Sequence, residues 1–195
     1  MMKYLIVGLG NIGAEYVHTR HNIGFQSVQY LADSKQAVWD LKRHAFQTEI
    51  KEKNRTLILI QSTTYMNLSG KAVKYWLDSE HIPIENLLVI TDDIDLPFGS
   101  LRLLGKGGGG SHNGMNHIIE TLEHQNFSRL RFGIGKNYER GRQADYVLGD
   151  FNDAETQALP ERLEKVAQIV KSFALQGIGK TMNQFNSEKF SWEQQ

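Results

Sequence analysis

Apolar residues along this chain come in short blocks separated by glycines and polar clusters. Tyr4-Leu5-Ile6-Val7 reads as a buried strand, and Leu87-Leu88-Val89-Ile90 is a near-continuous apolar run of the kind covered on both faces. Thr56-Leu57-Ile58-Leu59-Ile60 is a third strand, joined to an expected strand over Ala45 to Ile50 by the polar turn Lys51-Glu52-Lys53-Asn54-Arg55. Val38 to Leu41, Leu101 to Leu104 and Leu130 to Ile134 complete the expected strands. Between them the spacing becomes helical. Phe25, Val28 and Leu31 share a face, and so do Val73, Trp76 and Leu77 in a helix expected from Ser69 to Glu80, which Pro83 closes. Further helices are expected over Gly114 to Glu123 and Lys180 to Phe185. The longest starts near Asn152, whose spacing to Glu155 suits a capping box, and buries Leu159, Leu163, Val166, Val170 and Phe173. Proline is tolerated only in the first turns of a helix, so Pro160 argues for a later start, nearer Leu159.

Strands alternating with helices imply an α/β fold: a single domain with a mixed, mostly parallel twisted sheet flanked by helices. The expected unit is 1–195, with a core of about 3–186 and neither internal repeat nor linker. With 40% hydrophobic residues the chain can bury a proper core.

Composition removes several chemistries. The chain has no cysteine, hence no disulfide framework and no thiolate nucleophile or ligand, which suits the cytosol. The first apolar run is short and ends in glycine, so no signal peptide is expected, and no run reaches the length of a membrane span. Charge is balanced, 22 basic against 22 acidic residues, which argues mildly against a nucleic-acid partner. The distribution is less even. Arg129, Arg131, Lys136, Arg140 and Arg142 face one acid, Glu139, with Arg102 and Lys106 nearby in sequence. Such a patch could grip phosphates, or could be a solvated face.

The first strand leads into Gly8-Leu9-Gly10-Asn11-Ile12-Gly13, spaced like a dinucleotide-binding loop. That loop needs a helix starting at the third glycine and a second strand ending in an acid about 20 residues later. Here Thr19, His21, Asn22 and Gly24 follow instead, and Asp33 falls in an expected helix. For hydrolysis there is no Gly-x-Ser-x-Gly elbow and no His-Glu-x-x-His, and the histidines are scattered. What remains is a histidine, a strand-end aspartate and loop asparagines, a set suited to direct attack of water on an activated ester. The acids Asp92, Asp93 and Asp95 could equally cap a turn before Pro97 or bind Mg²⁺ weakly.

Four stretches, in order, resemble the bacterial peptidyl-tRNA hydrolase family: Gly8 to Tyr16 followed by Thr19-Arg20-His21-Asn22; Thr64-Tyr65-Met66-Asn67-Leu68-Ser69-Gly70; Asp92-Asp93-Ile94-Asp95-Leu96-Pro97-Phe98-Gly99; and Gly107 to Gly114. The likeness runs from Lys3 to about Asn186. It implies cleavage of the ester between a peptide and the 3′-terminal ribose of tRNA, which recycles tRNA from chains dropped by the ribosome. It assigns His21 as general base, Asp92 as its carboxylate partner, and Asn11 and Asn67 as amides that hold the ester. It matches Asn113 to an asparagine that orients the water and contacts the RNA end, and Tyr16 and Met66 to contacts with the 3′ end and the peptide. Arg131 matches an arginine that clamps the tRNA 5′-phosphate, and Arg140 and Arg142 a stretch that grips the acceptor arm. No cofactor and no metal are implied. Peptidyl-tRNA is the partner, through its CCA end, acceptor arm and peptide, and a cytoplasmic monomer is expected.

This chain departs from the pattern in four places. Leu104 stands at the lysine that partners the clamp arginine, leaving Arg102 or Lys106 to substitute. Ile12 replaces a proline, an effect of roughly 0.4–1 kcal/mol on turn pre-organisation. Gly109 and Ser111 replace a histidine and a glycine in the glycine loop, which reads as a mobile gate. Two rivals stay open: an RNA-binding relative without hydrolysis, and a dinucleotide-binding enzyme.

Overall fold

The computed structural model describes residues 1–192, so 193–195 of the expected 1–195 unit lie outside the described residues. Seven strands form one sheet in the order β2-β3-β4-β1-β5-β7-β6. At its centre β1 (Met2–Gly8) runs parallel to β4 (Arg55–Ser62) and to β5 (Leu87–Asp93), and β5 parallel to β7 (Ser128–Gly133). β3 (Ala45–Glu52) and β6 (Leu101–Leu104) are antiparallel to their neighbours, and β2 (Asp40–Lys42) pairs antiparallel with β3. The sheet is mixed and mostly parallel, as the alternation of elements implied.

Side chains alternate across the central strands and build two cores. Tyr4, Ile6, Leu88 and Ile90 join Leu130 and Phe132 under α1 (Ile23–Ser34) and α5 (Asp153–Gln176). Leu5, Val7, Leu87 and Val89 face α2 (Ser69–Ser79) and α3 (Asn113–Leu122). The short helix α4 (Gln143–Val147) and α6 (Ile178–Phe185) complete the set.

The same alternation assigns the two acids at the end of β5. Asp92 continues the face of Leu88 and Ile90, beneath α1, and Asp93 takes the opposite face. Glycine then fixes how closely α1 approaches. A Cβ on Gly24 would lie 2.4 Å from the Leu9 nitrogen and 2.5 Å from the Ile90 carbonyl oxygen, and one on Gly8 would lie 2.2 Å from the Gly24 carbonyl oxygen. Backbone therefore packs on backbone, and the turn just before α1 is brought over the end of β5.

Two expectations are corrected. The strand expected over Val38 to Leu41 forms at Asp40–Lys42, with Val38 80% and Leu41 67% exposed, because a sheet edge has no second layer to bury apolar side chains. The long helix begins at Asp153 and carries Pro160 inside it. Its capping box is complete, with Glu155 N donating to Asn152 Oδ1 at 2.8 Å and Asn152 N to Glu155 Oε2 at 2.9 Å. Pro160 and Thr156 both lie on the exposed side, so water can serve the Thr156 carbonyl that proline leaves unpaired. The helix that the rival dinucleotide reading needs is absent: none starts at Gly13. Single turns of 3₁₀ helix at Ala14–Tyr16 and Arg20–Asn22 follow, and α1 begins only at Ile23, so the glycine loop does not aim a helix N-terminus at a pyrophosphate.

Candidate active site

The three-residue turn Arg20–Asn22 sends three side chains in different directions. His21 meets Asp92, 71 positions away, with Nδ1 2.9 Å from Oδ2 and 3.0 Å from Oδ1. Asn22, 2% exposed, clamps the backbone of Asn11: its Oδ1 accepts from Asn11 N at 2.8 Å and its Nδ2 donates to Asn11 O at 2.9 Å. Arg20 points away from the cleft, toward α4 and the start of α5.

Asp92 is shared. His112, at the N-cap of α3, places Nε2 2.9 Å from Asp92 Oδ1, and its ring centroid lies 4.9 Å from that of His21. His112 Nδ1 accepts the Met115 amide at 3.2 Å, so the ring proton sits on Nε2 and is donated to the carboxylate. The three side chains could be read as a metal site, since their donor atoms lie within 4.8 Å of one another. The His112 tautomer speaks against that: a nitrogen that donates its proton to Asp92 has no lone pair for a cation.

Burial alone would raise the Asp92 pKa, but the charges of His112 and His21 and the hydrogen bonds they donate outweigh it and hold the carboxyl well below its usual range. For His21 burial lowers the pKa, while the Asp92 charge and hydrogen bond raise it, and the net shift is upward. With Nδ1–H committed to Asp92, Nε2 of His21 has no hydrogen-bond partner among the described residues.

His21 and Asp92 lie in the wall of a cleft of about 1000 Å³, which Asn11, Met66, Asn67 and Asn113 also line. Met66 is buried at 7% exposure beneath the 3₁₀ turn that exposes Asn67. On one side stands the glycine loop. Several of its carbonyls are held: Arg129 donates to those of Gly107 and Gly108, and Asn116 to that of Gly110 at 3.0 Å. On the other side stands α4, whose Gln143 reaches Ser111 Oγ at 3.4 Å.

The basic stretch divides. Arg129 is 2% exposed and satisfies carbonyls of the loop, so it is no part of a surface patch. Burial, together with the charge of Arg131, lowers its pKa to about 10. Arg131 lines the cleft and pairs with Asp93, Lys136 pairs with Asp95, and Arg142 with Asp145 at 3.1 Å. Arg102 is exposed and is the register partner of Arg131 on β6, on the same face. Leu104 pairs in register with Arg129, and Lys106, just before the glycine loop, is exposed. Asp93 also caps the following turn, as its Oδ1 accepts from Asp95 N at 2.7 Å. Tyr16, Arg140 and Arg142 lie outside the cleft lining.

Sequence reasoning did not single out His112, Asn22 or Arg20, although each adjoins a residue that it did: Asn113 in one case and His21 in the others. Position inside the glycine and Thr-Arg-His-Asn stretches was the available signal.

Comparison with known proteins shows the family. The family profile described as peptidyl-tRNA hydrolase matches residues 5–193. The chain is 53% identical to the peptidyl-tRNA hydrolase of Cytophaga hutchinsonii over 188 residues, 96% of this chain and 100% of that protein. It is also 53% identical to that of Bacteroides fragilis over 187 residues, with the same shares covered. A crystal structure of peptidyl-tRNA hydrolase from Acinetobacter baumannii superimposes with a TM-score of 0.89 at 34% identity, over 97% of this chain and 98% of that one.

Proposed function

This chain belongs to the peptidyl-tRNA hydrolase family and hydrolyses peptidyl-tRNA, and we propose that it does so by direct attack of water with His21 as general base. The observation that carries this reading is the commitment of His21 Nδ1–H to the buried Asp92, which leaves Nε2 bare in the cleft. Nε2 takes a proton from water as the water oxygen adds to the ester carbonyl. Asp92 holds the tautomer and stabilises the imidazolium, and stays ionised throughout. The imidazolium then returns the proton to the ribose oxygen as it leaves.

Asn11 and Asn67 hold the ester and stabilise the oxyanion through their side-chain amides. Asn113 orients the water and the RNA end, Met66 gives the peptide an apolar contact, and Tyr16 meets the 3′ end from outside the cleft. Arg131 binds the tRNA 5′-phosphate with its cross-strand neighbour Arg102, which stands in for the cation missing at Leu104. Arg140 and Arg142 lie along the acceptor arm. The protein works as a cytoplasmic monomer without a cofactor. No helix among the described residues is long and apolar enough to cross a membrane.

The test is release of the acyl-amino acid from labelled N-acyl-aminoacyl-tRNA, with and without EDTA, beside His21→Ala. Release that EDTA leaves intact and that falls on the order of 10²–10⁴-fold in the variant supports the mechanism. Near-full activity of the variant removes His21 from the role. Binding of tRNA without release would favour the non-catalytic relative.

A further inference from the structure

Arg20 adjoins the general base in sequence and serves no part of the mechanism above. We propose that Arg20 is a positioning residue that locks the His21 turn to α4, the helix walling the cleft, so that the base is aligned on Asp92 only when that wall is seated. The proposal rests on His21 being the base.

The side chain of Arg20 is 11% exposed and touches three segments. One terminal nitrogen lies 2.9 Å from Glu155 Oε2, a carboxylate 3% exposed that also closes the capping box of α5. The other donates to the Tyr146 carbonyl in α4 at 3.4 Å. The guanidinium carbon lies over the Tyr146 ring, 4.3 Å from its centroid, and 5.6 Å from that of Phe151. The backbone repeats the connection: Arg20 N donates to Gly149 O at 3.0 Å, and Thr19 forms a bridge with Asp150. Tyr146 is held on its far side as well, because its hydroxyl donates to the Ile134 carbonyl just beyond β7.

These contacts matter for catalysis because of how little else holds His21. Its ring bonds to Asp92 and lies against His112, the two titratable groups that face it. Its direction is otherwise set by the two residues that flank it in a single turn. Asn22 secures that turn to Asn11, and Arg20 secures it to α4, whose Ala144 and Val147 line the cleft. A lysine would keep the charge but lose both the fork and the stacking on Tyr146.

The experiment is kcat and KM on N-acetyl-aminoacyl-tRNA across pH for Arg20→Met, Arg20→Lys, Glu155→Gln and, as a packing control in the same core, Phe185→Leu, with thermal melts of each. Arg20→Met should lose about ten-fold or more in kcat with KM within about three-fold, since misalignment of a base costs rate rather than binding. Its acidic limb should move to lower pH as the Asp92 contact loosens, and Arg20→Lys should recover part of the rate. Phe185→Leu should melt earlier yet keep kcat and the pH limb. Wild-type kcat and an unmoved limb in folded Arg20→Met, or an equal loss in Phe185→Leu, would overturn the proposal. If Arg20→Met does not fold, wild-type kcat in both Arg20→Lys and Glu155→Gln overturns it. An inactive His21→Ala beside a fully active Arg20→Met would reject this role alone, whereas an active His21→Ala would reject the base as well.

Discussion

His112 holds the same carboxylate as His21: its Nε2 lies 2.9 Å from Asp92 Oδ1, while its Nδ1 caps α3 by accepting the Met115 amide. One ring thereby fastens the helix that follows the glycine loop to the partner of the base. The two jobs are separable. Asparagine is a good N-cap but is too short to bridge to Asp92.

His112→Asn should therefore keep the cap but lose about 1.5–3 kcal/mol of stability and roughly ten-fold in kcat, because a charge-assisted hydrogen bond that orients the buried Asp92 is gone. Denaturant unfolding and steady-state kinetics on the same preparation check both halves. A variant equally active and equally stable would reduce His112 to a cap.

Asn22→Ala removes both hydrogen bonds to Asn11 and leaves a buried donor and acceptor unmade. The expected cost is about 1–3 kcal/mol for each unmet group, with kcat falling because Asn11 loses its backbone frame. Asn22→Asp keeps the acceptor and should fall between. Urea midpoints and kcat for the two variants order them.

Gly24→Ala should be among the most damaging single methyl additions in the chain. Its Cβ would meet Leu9 and Ile90 backbone at 2.4–2.5 Å, and neither strand end can yield without moving the His21 turn from Asp92. About 3 kcal/mol or more of stability should be lost, read as a drop in melting temperature, together with activity. Gly108→Ala, where no atom stands within 4 Å of an added Cβ, is the matched control.

Arg131 and Arg102 should contribute to tRNA binding and not to chemistry. Replacing either with Ala should raise KM and lower the salt slope of binding by about one phosphate contact. Hydrolysis of a short N-acyl-aminoacyl-adenosine ester, which has no 5′-phosphate, should be unchanged. A loss on that short ester would place the arginines in the chemistry instead.

Much of this arrangement was legible because it depends on local pattern. The apolar runs at β1, β4 and β5 identified buried strands, and the period of two carries Asp92 onto the α1 face with Leu88 and Ile90. The Asn152–Glu155 spacing identified the start of α5, and it was Pro160 that misled: a helix interior tolerates proline where the freed carbonyl faces water, and exposure is not visible in sequence. Arg129 was misread for a related reason. It alternates with Leu130 and Phe132 like any outward residue, but the glycine loop folds back and supplies it with carbonyls. His112, Asn22 and Arg20 were marked only by their place inside the glycine and Thr-Arg-His-Asn stretches, because spacing along the chain does not disclose partners on other elements.

The measurement that bears most directly on the His21–Asp92 pair is the pH dependence of kcat on N-acyl-aminoacyl-tRNA, for the wild type and for Asp92→Asn. The base must be unprotonated, and Asp92 raises the His21 pKa above its ordinary value of 6.5, so wild-type activity should rise with pH along a limb centred above 6.5. In Asp92→Asn the two raising influences vanish and burial remains, so the limb should move below that value, with kcat reduced on the order of 10²–10⁴-fold as the tautomer is released. A wild-type rate that is flat from about pH 5 to 8, or an Asp92→Asn enzyme that keeps the wild-type rate and limb, would contradict the account.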